Sequence, residues 1–202
     1  MGSLYKILDK VVANRLKMVI GKEVSNKPEC IFGGRQILNV ALVVNAAIDL
    51  WKRSSNAGLV CKLDIENAYD NVNWKFLFSV LEKMGFSPKW RRWILFCFST
   101  IKLVVLVSGT PTNFFSTYWG LRQGDPFSPY LFVLIMEAFN RLIAKVEEGV
   151  FIKGVKIEGR GGEGVQVSHL LFADDTLLFY EDDEDQLKYW KWIVTCFELV
   201  SG

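Results

Sequence analysis

The chain has 202 residues and a mass of 23.1 kDa, enough for one domain with a sizeable core. Half of its residues are hydrophobic, 14% are aromatic and 23% are charged, which excludes a disordered tail and a disulfide-stapled miniprotein. Net charge is +2, but residues 1–100 carry 15 Lys and Arg against 8 Asp and Glu, and residues 101–202 carry 9 against 14. Such an asymmetry suits a protein that grips phosphates with one half and cations with the other, or arises by chance; the motifs have to decide.

Leu4, Ile7, Leu8, Val11, Val12, Leu16, Val19 and Ile20 recur at spacings of three and four and predict an amphipathic helix ending near Gly21. Residues 24–34 read as a loop. A second helix runs through Ile37, Leu38, Ala41, Leu42, Ile48 and Trp51 and is closed by Ser54, Ser55 and Asn56. In the strand GLVCKLDI, alternation turns Asp64 away from the face that carries Leu63 and Ile65. Asn73–Lys83 is a short helix. Ser87 and Pro88 form a cap followed by proline and open a helix to about Phe98.

KLVVLVSG and TNFFSTYW then predict paired strands around Gly109–Pro111. Ser128 and Pro129 repeat the cap-plus-proline device before the apolar helix YLFVLIMEAFNRLIAKV, which must be mostly buried. KGVKI, GVQVSHLLF and TLLFY read as three strands, separated by a glycine cluster and by Ala173-Asp174-Asp175, and a helix from about Asp183 to Leu199 closes the chain. Segregated helices and hairpin strands predict an α+β fold with an antiparallel sheet packed on helices.

Cys30, Cys61, Cys97 and Cys196 form no C-x-x-C pair and read as buried thiols of a reducing compartment. The stretch Trp93–Val107 is broken by Ser99, Thr100 and Lys102 and is too short for a membrane span. MGSLYKILDK carries no apolar signal core, so a nuclear or cytoplasmic protein that is not secreted is expected.

Three segments carry chemistry. Asp64 ends a strand, and Asp174 with Asp175 lies between two strands inside HLLFADDTLLFY. Alone, a double aspartate is weak evidence of a site, because such pairs more often form a hairpin turn or a helix cap. Here Leu170, Leu171, Phe172, Leu177, Leu178 and Phe179 sink it into apolar surroundings, where adjacent carboxylates need a compensating charge. A divalent cation is the simplest one, and magnesium on two or three carboxylates is the arrangement that phosphoryl chemistry uses. The third segment, GLRQGDPFSPYLF, places Gly120, Gly124, Pro126 and Pro129 in an irregular loop before the buried helix. That loop exposes backbone amides and Gln123 to planar bases or phosphates, or simply caps the helix. The acidic run Glu181–Asp185 reads as a solvated helix start, and His169 as structural.

Together these stretches resemble the reverse transcriptases of plant-type non-LTR, or long interspersed element, retrotransposons. CKLDIENAYDNVNW is similar to the first palm motif of that family, WGLRQGDPFSPYLF to the second and HLLFADDTLLFY to the third, while LYKILDKVVANRLK and GGRQIL are similar to upstream segments. The resemblance implies a polymerase palm and fingers fragment, with about 1–57 a fingers-like helical part and about 58–202 a palm. It implies that Asp64, Asp174 and Asp175, with the carbonyl of Ile65, hold two Mg²⁺ ions, with Mn²⁺ as a substitute, for transfer of deoxynucleoside triphosphates to a primer 3′-hydroxyl.

On the same ground, Tyr69 is the aromatic gate against a ribose 2′-hydroxyl, and Gln123 and Gly124 line the nucleotide pocket. By their charge, Arg35 and Arg122, with the cluster Lys89, Arg91 and Arg92, are candidate contacts to nucleic acid phosphates or else ordinary surface charges. The implied partners are an RNA template, a DNA primer and deoxynucleotides, with no membrane. Family members continue beyond ELVSG into a primer grip and a thumb, which makes a catalytically inactive remnant, at most a nucleic-acid-binding or interaction module, the alternative. Pro28, Cys30, Ile31, Asn39, Ala46 and Asn67 depart from the usual pattern.

Overall fold

The computed structural model describes residues 3–23, 37–53, 58–99, 104–114, 116–158, 164–172 and 175–202. The predicted loop 24–34, Cys30, Arg35, the glycine cluster at 159–163 and Asp174 lie outside the described residues. The elements are α1 (Ser3–Glu23), α2 (Ile37–Arg53), β1 (Gly58–Asp64), α3 (Trp74–Lys83), α4 (Pro88–Ser99), β2 (Leu106–Val107), β3 (Thr110–Pro111), α5 (Ser128–Glu148), β4 (Val155–Glu158), β5 (Gly164–Val167), β6 (His169–Phe172), β7 (Asp175–Glu181) and α6 (Glu184–Ser201). All strand pairs are antiparallel, as expected for an α+β chain. Among the described residues no helix is long and apolar enough to cross a membrane. The chain divides into two compact units, one of residues 1–19, 67–135 and 200–202 and the other of residues 20–66 and 136–199.

In the first unit α3 and α4 pack together with the start of α5. Asn73 caps α3, its side-chain oxygen accepting from the backbone N–H groups of Lys75 and Phe76. Ser87 does the same for α4, its Oγ accepting from Trp90 N at 3.5 Å, with Pro88 as the first helical residue. The core of this unit joins Leu77, Leu81, Ile94, Leu121, Phe127 and Leu131. Trp74, Phe98 and Phe127 form a chain of rings with centroids 5.2 and 5.4 Å apart. Among the described side chains of α1, Asp9, Val12, Ala13, Leu16 and Ile20 are buried, whereas Ile7, Val11 and Val19, expected on the apolar stripe, are exposed.

The second unit is built on the sheet β1-β7-β6, with the hairpin β4-β5 beside it. The register pairs Asp64 with Asp175, Lys62 with Leu177 and Val60 with Phe179, and on the other side of β7 it pairs Leu170 with Leu177. Paired residues share a face. Val60, Leu170, Leu177 and Phe179 therefore point one way and pack on Val43, Val44, Ala47, Leu50 and Trp51 of α2 and on Val155, Ile157 and Val167 of the hairpin. The opposite face carries His169, Leu171, Thr176 and Leu178, all buried.

A polar chain runs from that second face into α5. The Nε2–H of His169 donates to Asn140 Oδ1 at 2.8 Å, and Ser168 Oγ lies 2.8 Å from Nδ1. Asn140 Nδ2 in turn donates to Glu137 Oε2 at 3.2 Å, and Glu137 Oε1 accepts from Arg141 Nε at 3.2 Å. Asn140 and His169 are both fully buried, so each donor and acceptor in the chain has to be answered inside the protein. His169 is structural, as read from the sequence.

Four readings change. GVQVSHLLF is two strands, since β5 pairs with β4 while β6 pairs with β7, the break falling at Ser168. Among the described residues TNFFSTYW forms no long strand; Thr110–Pro111 pair with Leu106–Val107, and Trp119 makes a single bridge to Asn73. The Ser128 hydroxyl is buried without a hydrogen-bond partner and does not cap α5, although the helix starts there. Cys196 is exposed and Cys61 half-buried, leaving Cys97 as the buried thiol among the described cysteines.

The polar chain generates a stability prediction. Asn140→Ala strands the buried His169 N–H and one oxygen of Glu137, and should lower unfolding stability by about 2–4 kcal/mol, measured by urea denaturation. A change below about 0.5 kcal/mol would show that water replaces the amide.

Candidate active site

The residues singled out by the sequence fall in both units. In the second unit, the register that packs α2 on the sheet also sets Asp64 directly opposite Asp175 at the open end of β1 and β7. Directly opposed residues have Cβ atoms about 4.5–5.5 Å apart and side chains on one face, so one cation can be reached from both carboxylates. Asp64 is exposed and Asp175 half-buried, and the half-buried Ile65 follows Asp64 immediately. The Nζ of Lys62, two residues before Asp64 on the same face, lies 3.0 Å from Asp175 Oδ1. Among the described residues no group of three or more His, Cys, Asp and Glu is placed to hold a metal; Asp174 lies outside them. The two carboxylates that are described offer a hard, oxygen-only donor set, which fits Mg²⁺ or Mn²⁺ and not a soft-ligand ion.

In the first unit, the segment after Asp64 and the glycine loop before α5 are tied to each other through the main chain. Asn67 adopts the left-handed conformation, φ 52°, which asparagine tolerates, and its carbonyl accepts from Asp70 N at 2.8 Å and Asn71 N at 3.1 Å. Leu121 N donates to Tyr69 O at 2.5 Å, Gly120 N to Val72 O at 2.8 Å, and the Trp74 indole N–H to Gly120 O at 2.8 Å. Gly120 has φ 84°, and a Cβ there would stand 2.7 Å from the Asp70 carbonyl oxygen, so only glycine permits this approach. Gly124 also has positive φ, 86°, and Gln123 and Gly124 are exposed.

The Tyr69 ring stacks on Phe132 of α5 with centroids 4.9 Å apart and planes 23° from parallel. Two cavities flank the loop. One of about 500 Å³ is lined by Asp70, Trp74, Trp119, Gly120, Arg122 and Gln123, and one of about 290 Å³ by Asp9, Lys10, Arg122, Gln123, Gly124 and Asp125. Arg122 serves both, with Nη1 3.8 Å from Asp125 Oδ1. Of the other basic residues, the half-buried Arg91 pairs with Glu82 at 3.1 Å and the exposed Lys89 lies over the Trp93 ring. Arg35 lies outside the described residues.

One feature escaped the sequence reading: a second acidic pair beneath the loop. Asp9 is 2% exposed and Asp125 7%, and Asp9 Oδ1 and Asp125 Oδ2 have no hydrogen-bond partner. Burial, then the charge of Asp125, pushes the Asp9 carboxyl up to about 6, against the opposing pull of Arg122 and a hydrogen bond from Cys97. Burial also raises Asp125, with Arg122 opposing, and burial and the two carboxylates push the Cys97 thiol up to about 11. The signal was present in the helical period, which puts Asp9 on one line with Val12, Ala13, Leu16 and Ile20.

A raised carboxyl favours its protonated form in the folded chain, so the associated stability is full below pH 3.8 and is lost as pH rises through about 6. Wild-type stability should therefore fall between pH 4 and 6. Asp9→Asn should flatten that slope and add roughly 2–3 kcal/mol at pH 7, read from urea midpoints across the range.

Comparison with known proteins gives the family of the chain. Residues 1–200 match the family described as reverse transcriptase (RNA-dependent DNA polymerase). The chain is 25% identical over 178 residues to the transposon TX1 149 kDa protein of Xenopus laevis, a match that covers 88% of this chain and 13% of that protein. It is 25% identical over 183 residues to the Pol polyprotein from the type-1 retrotransposable element R2 of Popillia japonica, covering 90% of this chain and 24% of the polyprotein. The solved telomerase of Candida albicans has the same fold over 94% of this chain and 32% of its own, with a TM-score of 0.60 at 11% identity. The chain thus spans a minor part of each of these proteins. It belongs to the reverse transcriptase family, as a domain of the non-LTR, LINE type.

Proposed function

We propose that this chain contributes the catalytic and nucleotide-binding residues of an RNA-directed DNA polymerase, which extends a DNA primer on an RNA template with deoxynucleotides. The observation that carries the reading is the facing of Asp64 and Asp175 at one end of a sheet in a chain of this family. On this reading residues 1–57 are the fingers-like part and residues 58–202 the palm. Asp64, Asp174 and Asp175, with the Ile65 carbonyl, hold the divalent ions, Mg²⁺ or Mn²⁺. Those ions, when bound, supply Lewis-acid stabilisation of the attacking and leaving oxygens in displacement at the α-phosphate.

The remaining roles belong to side chains and backbone of the loop. Tyr69, held flat by Phe132, fills the space that a 2′-hydroxyl requires and so selects the deoxy sugar. Gln123 and the backbone at Gly124 line the base and sugar of the incoming nucleotide. Arg122, the loop's guanidinium, steadies phosphate oxygens, and Arg35 contacts the nucleic acid backbone, attractions that weaken as salt rises.

Two measurements test the reading. Extension of a DNA primer on an RNA template in Mg²⁺ or Mn²⁺ should fall at least about 100-fold in Asp64→Asn and in Asp174→Asn. Binding of primer and template with no extension at any concentration of either ion would instead favour the inactive, nucleic-acid-binding alternative. Tyr69→Ala should raise ribonucleotide use relative to deoxynucleotide use by about 10- to 100-fold, and unchanged sugar selectivity would remove Tyr69 from that role.

A further inference from the structure

The facing carboxylates of β1 and β7 come with a third charge. Lys62 is two residues before Asp64 on the same face of the strand, and its register partner is Leu177, so its reach to Asp175 is diagonal across the ladder. The ammonium stands 3.0 Å from Asp175 Oδ1, with 58% of the lysine side chain and 37% of the aspartate side chain open to solvent. A pair so well hydrated adds little to folding stability. Its chemical effect on the acidic face is larger. A divalent ion drawn to both aspartates needs the oxygens of each, and at Asp175 one of them already faces a cation. The same ammonium, beside the facing carboxylates, opposes the approach of a second cation.

We propose that Lys62 is the built-in counter-ion of this acidic pair, a positioning residue that a divalent cation must displace from Asp175 in order to bind. This rests on the reading of Asp64 and Asp175 as metal ligands. Lys62 thereby lowers the affinity of the site for metal and offsets part of the carboxylate charge at Asp175 while no metal is bound. Its long, flexible stem suits the task, because the ammonium can leave Asp175 for water without any movement of the backbone.

The test is a titration with Mn²⁺ alone, followed by the paramagnetic resonance of the free ion, on wild type, Lys62→Met, Lys62→Arg and Asp64→Asn. Lys62→Met should bind Mn²⁺ about three- to tenfold more tightly than wild type, Lys62→Arg should remain close to wild type, and Asp64→Asn should bind at least about tenfold more weakly. By linkage, a fixed Mn²⁺ concentration should raise the unfolding midpoint more in Lys62→Met than in wild type. Lys62→Gln repeats the comparison should the methionine variant aggregate.

A lysine with a merely structural role would lower the metal-free midpoint and leave the Mn²⁺ affinity unchanged. That result, or weaker binding in Lys62→Met, overturns the proposal. If Asp64→Asn weakens Mn²⁺ binding while Lys62→Met leaves it unaltered, the counter-ion role alone fails. If none of the proteins binds Mn²⁺, or if Asp64→Asn binds as wild type does, the assignment of the aspartates fails and the role of Lys62 falls with it.

Discussion

The antiparallel register of β1 on β7 is the constraint on which the second unit turns. Because successive side chains alternate between faces, a slip of one residue would carry Val60, Lys62 and Asp64 to the side of His169 and Leu171, burying charge and exposing apolar surface at once. The apolar grip of α2 and the β4-β5 hairpin on Val60, Leu177 and Phe179 prevents that slip. The facing of Asp64 and Asp175 is therefore a by-product of core packing, fixed before any ligand is present. The buried chain from Ser168 through His169 and Asn140 to Glu137 secures the other face by geometry instead of by bulk.

The two acidic pairs differ in what balances them. Asp64 is exposed and Asp175 half-buried beside an exposed lysine, so their counter-charge can be exchanged with the surroundings. Asp9 and Asp125 are shut away from solvent, with one oxygen on each lacking a donor, and there the incomplete balance by Arg122 shows as a raised proton affinity of both carboxyls. Both pairs lie beside residues assigned to the polymerase reaction, one at the metal ligands and the other under Gln123 and Gly124. An exchangeable site suits chemistry with metals and phosphates, while a sealed one couples the loop to acidity.

Most of the helices and the motif order were legible, because periodicity, caps and prolines act over short stretches of chain. Asn73, Ser87 and Pro88 mark their helix starts with local chemistry alone. What was not legible depends on partners distant in sequence. Ser168 looks like the interior of one strand until β5 and β6 are seen to pair with different neighbours. TNFFSTYW has strand-forming composition but lacks a ladder partner for most of its length among the described residues. The stripe on α1 was drawn from hydrophobic identity and missed Asp9, which lies on the buried line while Ile7 and Val11 lie off it. Likewise Glu137 and Asn140 are polar letters in an apolar helix, and only the position of His169 explains them. At the site, the identities of Asp64, Tyr69 and Gly120 were readable; the main-chain tie of Gly120 and Leu121 to Tyr69 and Val72 was not, because backbone bonds leave no trace in side-chain chemistry.

That tie bears on how the pocket can diverge. Its hydrogen bonds run through the amides of Gly120 and Leu121 and the carbonyls of Tyr69 and Val72, atoms that every substitution apart from proline leaves in place. The partly or fully exposed side chains at 122 and 123 can thus vary without breaking these bonds, whereas the buried Leu121 and the glycine itself cannot. Single exchanges at 122 and 123 can accordingly change the chemistry the loop presents on a fixed frame, while the hydrogen atom at the α-carbon of Gly120 tolerates no replacement.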